Sequence, residues 1–197
     1  MENKIRKKTL SVRQLTMIGM LSGICIFLGL TGLGFIPLPT MKATIMHIPV
    51  IIGGIVEGPI VGALVGLVFG LFSMYQNFTT PTATSFIFWN PIIAIIPRIL
   101  IGIVAFYVYD LIYKKFKKQG LSIAIASLLA SFTNTVLVLT LAYLFYAQKY
   151  TDALGINPDI AAWGIAGIGI TNGIPEAIVS AVICIPVITA IFKIKKN

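Results

Sequence analysis

Apolar runs of about 20 residues recur from end to end of this 197-residue chain, each long enough to cross roughly 30 Å of hydrocarbon as a helix. One such run could be a buried core helix. A succession of them, with only 11% of residues charged against about a quarter in soluble domains, requires lipid as the solvent. The chain reads as an all-α integral membrane protein. It is expected to form a single six-helix membrane domain over residues 1–197, opening on a basic cytoplasmic segment, 1–13.

Prolines and polar clusters divide the runs. The first span is expected from Gln14 to Gly34, ending in FIPLPT, where two prolines enforce a turn. The second runs from Lys42 to Val56 and the third, after the tight turn Glu57-Gly58-Pro59, from Pro59 to Tyr75. Glycines 62, 66 and 70 stand four apart in it, a small-xxx-small ridge for close helix contact. The polar connection QNFTTPTATSFIFWN leads to a fourth span, Pro91 to Tyr113. The fifth runs from Leu121 to Phe145 and the sixth from Gly164 to Phe192, separated by AQKYTDALGINPDIAAW with Asp152 and Asp159.

The net charge of +9 could suggest a nucleic-acid partner, but its distribution argues otherwise. Twelve of the fifteen Lys and Arg lie in the N-terminal segment, in YKKFKKQG between spans four and five, and in the tail KIKKN. Six spans put all three segments on one side, as the positive-inside pattern requires. Both termini are therefore expected in the cytoplasm.

Removing everything apolar leaves few polar groups inside the spans. Arg98 lies in span four, Asn134 in span five, and Asn172 and Glu176 one turn apart in span six. Lys42 and His47 open span two and Asn90 opens span four. An arginine near a helix centre costs roughly 2.5–3.5 kcal/mol on insertion scales, so something must hold it. Pro97 precedes Arg98, and Pro175 precedes Glu176. Each proline withholds the amide that the carbonyl four residues back, Ile93 or Thr171, would accept. Depth along the helices places Arg98, Asn134, Asn172 and Glu176 between the midplane and the outer leaflet.

Two readings stay open for this cluster. Arg98 and Glu176 can neutralise each other structurally, and the asparagines can bond helix to helix. Alternatively the group lines an outward-opening pocket, where an arginine suits a carboxylate or phosphate and amides read hydroxyls and amides. His47 reads as a structural histidine or a ligand contact, Lys42 as a snorkelling lysine or a pocket residue. Trp89 and Trp163 flank spans as interfacial anchors, Trp89 being also a pocket candidate. Cys25 and Cys184 lie in apolar spans without C-x-x-C spacing and read as buried small hydrophobes.

Enzyme signatures are absent: there is no H-E-x-x-H, no G-x-S-x-G, no Walker loop, and one histidine in all. No cofactor or metal is implied, and the chain cannot hydrolyse ATP itself. A selectivity filter and matched inverted halves are also missing.

PTMKATIMHIPVIIGGIVEGPIVGALVGLVFGLFS (39–73), NPIIAIIPRILIG (90–102) and TNGIPEAIVSAVI in the last span resemble the substrate-binding S components of energy-coupling factor (ECF) vitamin transporters. The likeness extends over nearly the whole chain and falls in the branch of pantothenate, folate and riboflavin binders. It implies a six-helix protein of the bacterial cytoplasmic membrane that captures a vitamin from outside. It further implies partners, a membrane coupling subunit and two cytoplasmic ATPases. The family's small-residue contact to the coupling subunit corresponds here to GMLSG, with Gly19 and Gly23 in place of alanines. The loop GFIPLPTMK (34–42) corresponds to a lid. Ligand contacts are expected from Arg98, Asn134, Asn172, Glu176, Asn90, Lys42, His47 and Trp89.

Pantothenate, with one carboxylate, two hydroxyls and an amide, matches one cation and several amide side chains. Riboflavin is the alternative, since Trp89, Phe86, Phe88 and Tyr75 could sandwich its rings; folate is a third. From other classes, a proton-coupled carrier using Glu176 and a ligand-free structural protein remain open.

Overall fold

The computed structural model describes residues 10–37, 42–82, 84–154 and 161–196. Most of the basic segment 1–13, the tip of the 34–42 loop, Asp159, and the side chains of Lys42, Asp152 and Trp163 lie outside the described residues. Helix α1 (Val12–Thr31) starts at a capping box: the Ser11 hydroxyl accepts from the Gln14 amide, and the Gln14 side chain accepts from the Ser11 amide. It stops at Gly32, whose φ of 72° is the left-handed conformation glycine adopts at low cost.

The segment read as a second span is two elements instead. Residues 42–44 form strand β2 (Lys42–Thr44), paired antiparallel with β1 (Phe35–Pro37) in a minimal hairpin. Only Ile48–Glu57 is helical, as α2. Ten residues reach about 15 Å, half the hydrocarbon thickness. Every residue of α2 from Ile48 to Val56 is buried, which explains a sequence apolar on all sides. This half-helix sits among α1 and three later helices: α3 (Pro59–Thr79), α5 (Pro91–Phe116) and α7 (Ala161–Lys196).

Helix α3 runs one turn beyond its expected end at Tyr75, bringing Gln76 and Asn77 into the helix. A short turn of helix, α4 (Ser85–Phe88), follows. The helix α6 (Gln119–Leu154) also outruns its expected end at Phe145, breaking geometry at Tyr146 (φ −140°, ψ 25°) before continuing through part of the expected loop. In all, five described helices are long and apolar enough to cross a membrane, and the chain is an all-α multi-pass membrane protein.

Helix packing follows the glycines. A Cβ on Gly62 would lie 2.7 Å from Gly54 Cα on α2 and 2.8 Å from Gly102 Cα on α5. On Gly70 it would meet the Ala94 carbonyl at 2.8 Å, and on Gly66 it would collide with the Arg98 carbonyl. The ridge seen in the sequence thus presses α3 backbone-to-backbone onto α5. At the end away from the hairpin, the Glu57 side chain, 7% exposed, accepts from Arg13 at 3.0 Å and pairs with Lys195 at 3.5 Å. This ties the ends of α1, α2 and α7 together.

Candidate functional site

A cavity of about 640 Å³ opens toward the hairpin end, within the size range of small-molecule sites. Arg98 (α5), Asn134 (α6) and Glu176 (α7) all line it, three side chains 36 or more residues apart in sequence. The hairpin contributes Phe35 and Thr44. The hairpin-facing part of α3 contributes Phe69, Ser73, Gln76 and Asn77, and its C-cap contributes Thr80.

Arg98 is only 6% exposed. Its Nη1 donates to the Ile93 carbonyl at 2.9 Å, the oxygen that Pro97 deprives of its helical donor. The guanidinium lies 4.9 Å from the Phe88 ring centre and 5.6 Å from that of Phe69. Both distances are within cation–π range. Among the described residues Arg98 and Glu176 form no direct ion pair; each lies within the other's electrostatic field, while a backbone carbonyl and two aromatic faces contact the guanidinium. Its Nε is buried without a partner among the described residues, while the side chain as a whole lines the cavity.

Glu176 has its own task. Its Oε1 accepts the Thr44 amide at 2.8 Å, joining strand β2 to α7. Asn134 presents a buried Oδ1 with no described partner. Beyond them, Asn77 is tightly held: its Nδ2 donates to the Ser73 carbonyl and its Oδ1 accepts from the Ser85 hydroxyl at 2.6 Å. Gln76 donates to the Gly29 carbonyl, linking the cavity wall to α1.

The remaining expected residues fall elsewhere. Asn90 caps α5, its Oδ1 accepting from the Ile92 amide at 3.0 Å. Trp89 is 46% exposed, stacks on Phe78 at 5.6 Å and donates to the Asn77 carbonyl. Half-buried Asn172 does not line the cavity. Neither does His47, whose Nε2 lies 2.6 Å from the Ser180 hydroxyl. The same Ser180 hydroxyl lies 2.7 Å from the Glu176 carbonyl. Of the four aromatic residues suited to a ring sandwich, only Phe88 lines the cavity, and it already faces Arg98. Phe86 packs on Tyr146. Gly19 and Gly23 lie exposed on α1 with nothing within 4 Å of an added Cβ.

The α3 wall was missed because QNFTT looks like loop. Its signal was periodic: Ser73, Gln76, Asn77 and Thr80 continue the face of glycines 62, 66 and 70 at helical spacing.

The chain is similar to known transporters over most of its length. It is 34% identical over 175 residues to the pantothenic acid transporter PanT of Lactococcus lactis, covering 82% of this chain and 83% of that one. To the pantothenate transporter PanT of Leuconostoc mesenteroides it is 33% identical over 159 residues, covering 77% and 78%. Residues 13–188 match the ECF transporter, substrate-specific component family. With nearly the whole membrane region matched, the chain belongs to the substrate-specific components of ECF transporters.

Proposed function

We propose that this chain is the pantothenate-binding S component of a bacterial ECF transporter, with Arg98 engaging the vitamin's carboxylate. The observation that carries the reading is a buried arginine on the cavity wall, positioned by a backbone carbonyl and two aromatic rings. A carboxylate is the guest that such a group favours. Asn134 and the α3 amides supply partners for hydroxyls and an amide. Both relatives are named for the same vitamin. A flat aromatic guest such as riboflavin is less well served, because Trp89 and Phe86 are engaged with other rings.

In this reading residues 1–197 form one domain of six segments, α2 being the short second one, with both termini and segment 1–13 in the cytoplasm. The basic clusters support that orientation. The hairpin then covers the cavity on the outer side, through Phe35 and Thr44. Asn90 acts structurally as the α5 cap, and His47 through its contact with Ser180. A membrane coupling subunit would meet α1 along Gly19 and Gly23, and two ATPases would supply the energy.

The test is thermal unfolding of the purified protein against a panel of vitamins at micromolar concentration. A native-state ligand raises the midpoint by mass action. A shift with pantothenate alone supports the reading. A shift with riboflavin or folate alone would reassign the cargo, and no shift in folded protein would sink it.

A further inference from the structure

The single turn α4 carries Phe88, whose ring centre lies 4.9 Å from the Arg98 guanidinium. So short a turn cannot hold itself together, because helix nucleation is unfavourable. Something outside it must fix it. Ser85 opens the turn, is 1% exposed, and does not line the cavity. Its hydroxyl donates to Asn77 Oδ1 at 2.6 Å and accepts the Thr82 amide at 2.8 Å. Asn77 is oriented from its other side. The Ser73 carbonyl can only accept, so the amide nitrogen faces it at 2.8 Å and the oxygen is left for Ser85.

A second bond reaches the same residue. Pro81, four residues on from Asn77, has no amide to offer the Asn77 carbonyl. The indole of Trp89, just after α4, takes that place at 3.2 Å. Both ends of α4 are thus fastened to Asn77, Ser85 to its side chain and Trp89 to its backbone. Between them Ile87, 2% exposed, is buried in a cluster with Ile93 and Ala142, and Ile93 is the residue whose carbonyl holds Arg98.

We propose that Ser85 is a positioning residue for anion recognition: it clasps α4 to Asn77 and so keeps the Phe88 ring on the Arg98 guanidinium. The proposal rests on the assignment of Arg98 to the vitamin's carboxylate. Ser85 lies off the cavity and acts through Phe88. An arginine already restrained by a ring loses less rotamer freedom when an anion arrives, which is worth roughly threefold to tenfold in affinity.

Calorimetric titration compares pantothenate with panthenol, the analogue bearing an alcohol in place of the carboxylate. The unaltered protein should prefer pantothenate. Ser85→Ala should cut that preference roughly threefold to tenfold, by weakening pantothenate while panthenol stays within about twofold. Phe88→Leu should do the same. The double variant should lose no more than the larger single change, as expected when two residues act through one contact. A purely structural serine would weaken both compounds alike, so an unchanged preference, or additive losses in the double variant, overturns the proposal. If the unaltered protein shows no preference for pantothenate, the carboxylate assignment fails and this proposal falls with it. Hydrogen exchange in the ligand-free, unaltered protein needs no variant to fold. The amides of Ser85, Ile87 and Asn90, bonded to the Thr82, Thr84 and Ile87 carbonyls, should exchange at least about tenfold slower than in an unstructured chain. Free exchange there would mean an unheld turn and would equally overturn it.

Discussion

The Arg98 guanidinium donates to the carbonyl of Ile93, five residues back in its own helix, at 2.9 Å. Pro97 makes that oxygen available, because a proline has no amide to offer it. Replacing Pro97 with alanine restores a competing donor. The helix should become more stable, by up to about 3 kcal/mol on intrinsic propensity, while the arginine loses its anchor. A Pro97→Ala variant is expected to melt no lower than the parent and to bind pantothenate about tenfold more weakly by calorimetric titration. Unchanged affinity would mean that the carbonyl does not position Arg98.

Arg98→Ala removes the cation itself. A charged hydrogen bond lost from a buried site costs about 2–5 kcal/mol, so affinity should fall by roughly 30-fold or more. Arg98→Lys is expected to fall between, since an ammonium cannot serve the Ile93 carbonyl and a carboxylate with one planar fork. If Arg98→Ala folds and binds as the parent does, the arginine is structural.

The arginine was legible from sequence as an expense that needed a partner, and so was the deprived Ile93 carbonyl; that one met the other was not. Glu176 stood out as the natural partner because pattern reading sees charges but not backbone. The half-helix α2 was hidden for a different reason. Residues 42–56 are apolar enough for a span, yet burial on every side produces the same composition as lipid exposure. Gln76, Asn77 and Thr80 went unseen since polar residues at a helix end look like a loop until they are placed on the glycine face. The glycine ridge itself was readable, being a local period of four that backbone contact enforces.

Glu176 joins strand β2 to α7 through the Thr44 amide at 2.8 Å. Loss of that acceptor leaves the Thr44 amide unsatisfied and should loosen the hairpin over the cavity, at a cost of about 1–3 kcal/mol. Glu176→Ala is expected to speed pantothenate release by roughly tenfold or more with a smaller change in association. Glu176→Gln retains an oxygen for the Thr44 amide and should stay within a few-fold of the parent. Stopped-flow dissociation of the two variants separates the roles. Equal acceleration in both would show that charge, rather than the bond to the hairpin, is what matters.

Gly66 sets how closely α3 approaches α5, and hence how closely Phe69 approaches Arg98. A Cβ there would collide with the Arg98 carbonyl, which is backbone and cannot swing aside. Gly66→Ala must push the helices apart, an overpacking cost of typically 1–3 kcal/mol, and should lower the melting temperature and weaken binding together. Gly19→Ala offers the opposite case on α1, where an added Cβ meets nothing within 4 Å. In a helix interior alanine is favoured over glycine by about 1 kcal/mol, so the isolated protein should melt at the same temperature or slightly higher. A melting comparison of the two variants in one detergent decides the matter: if Gly66→Ala is as well tolerated as Gly19→Ala, backbone contact between α3 and α5 is not what seats the arginine.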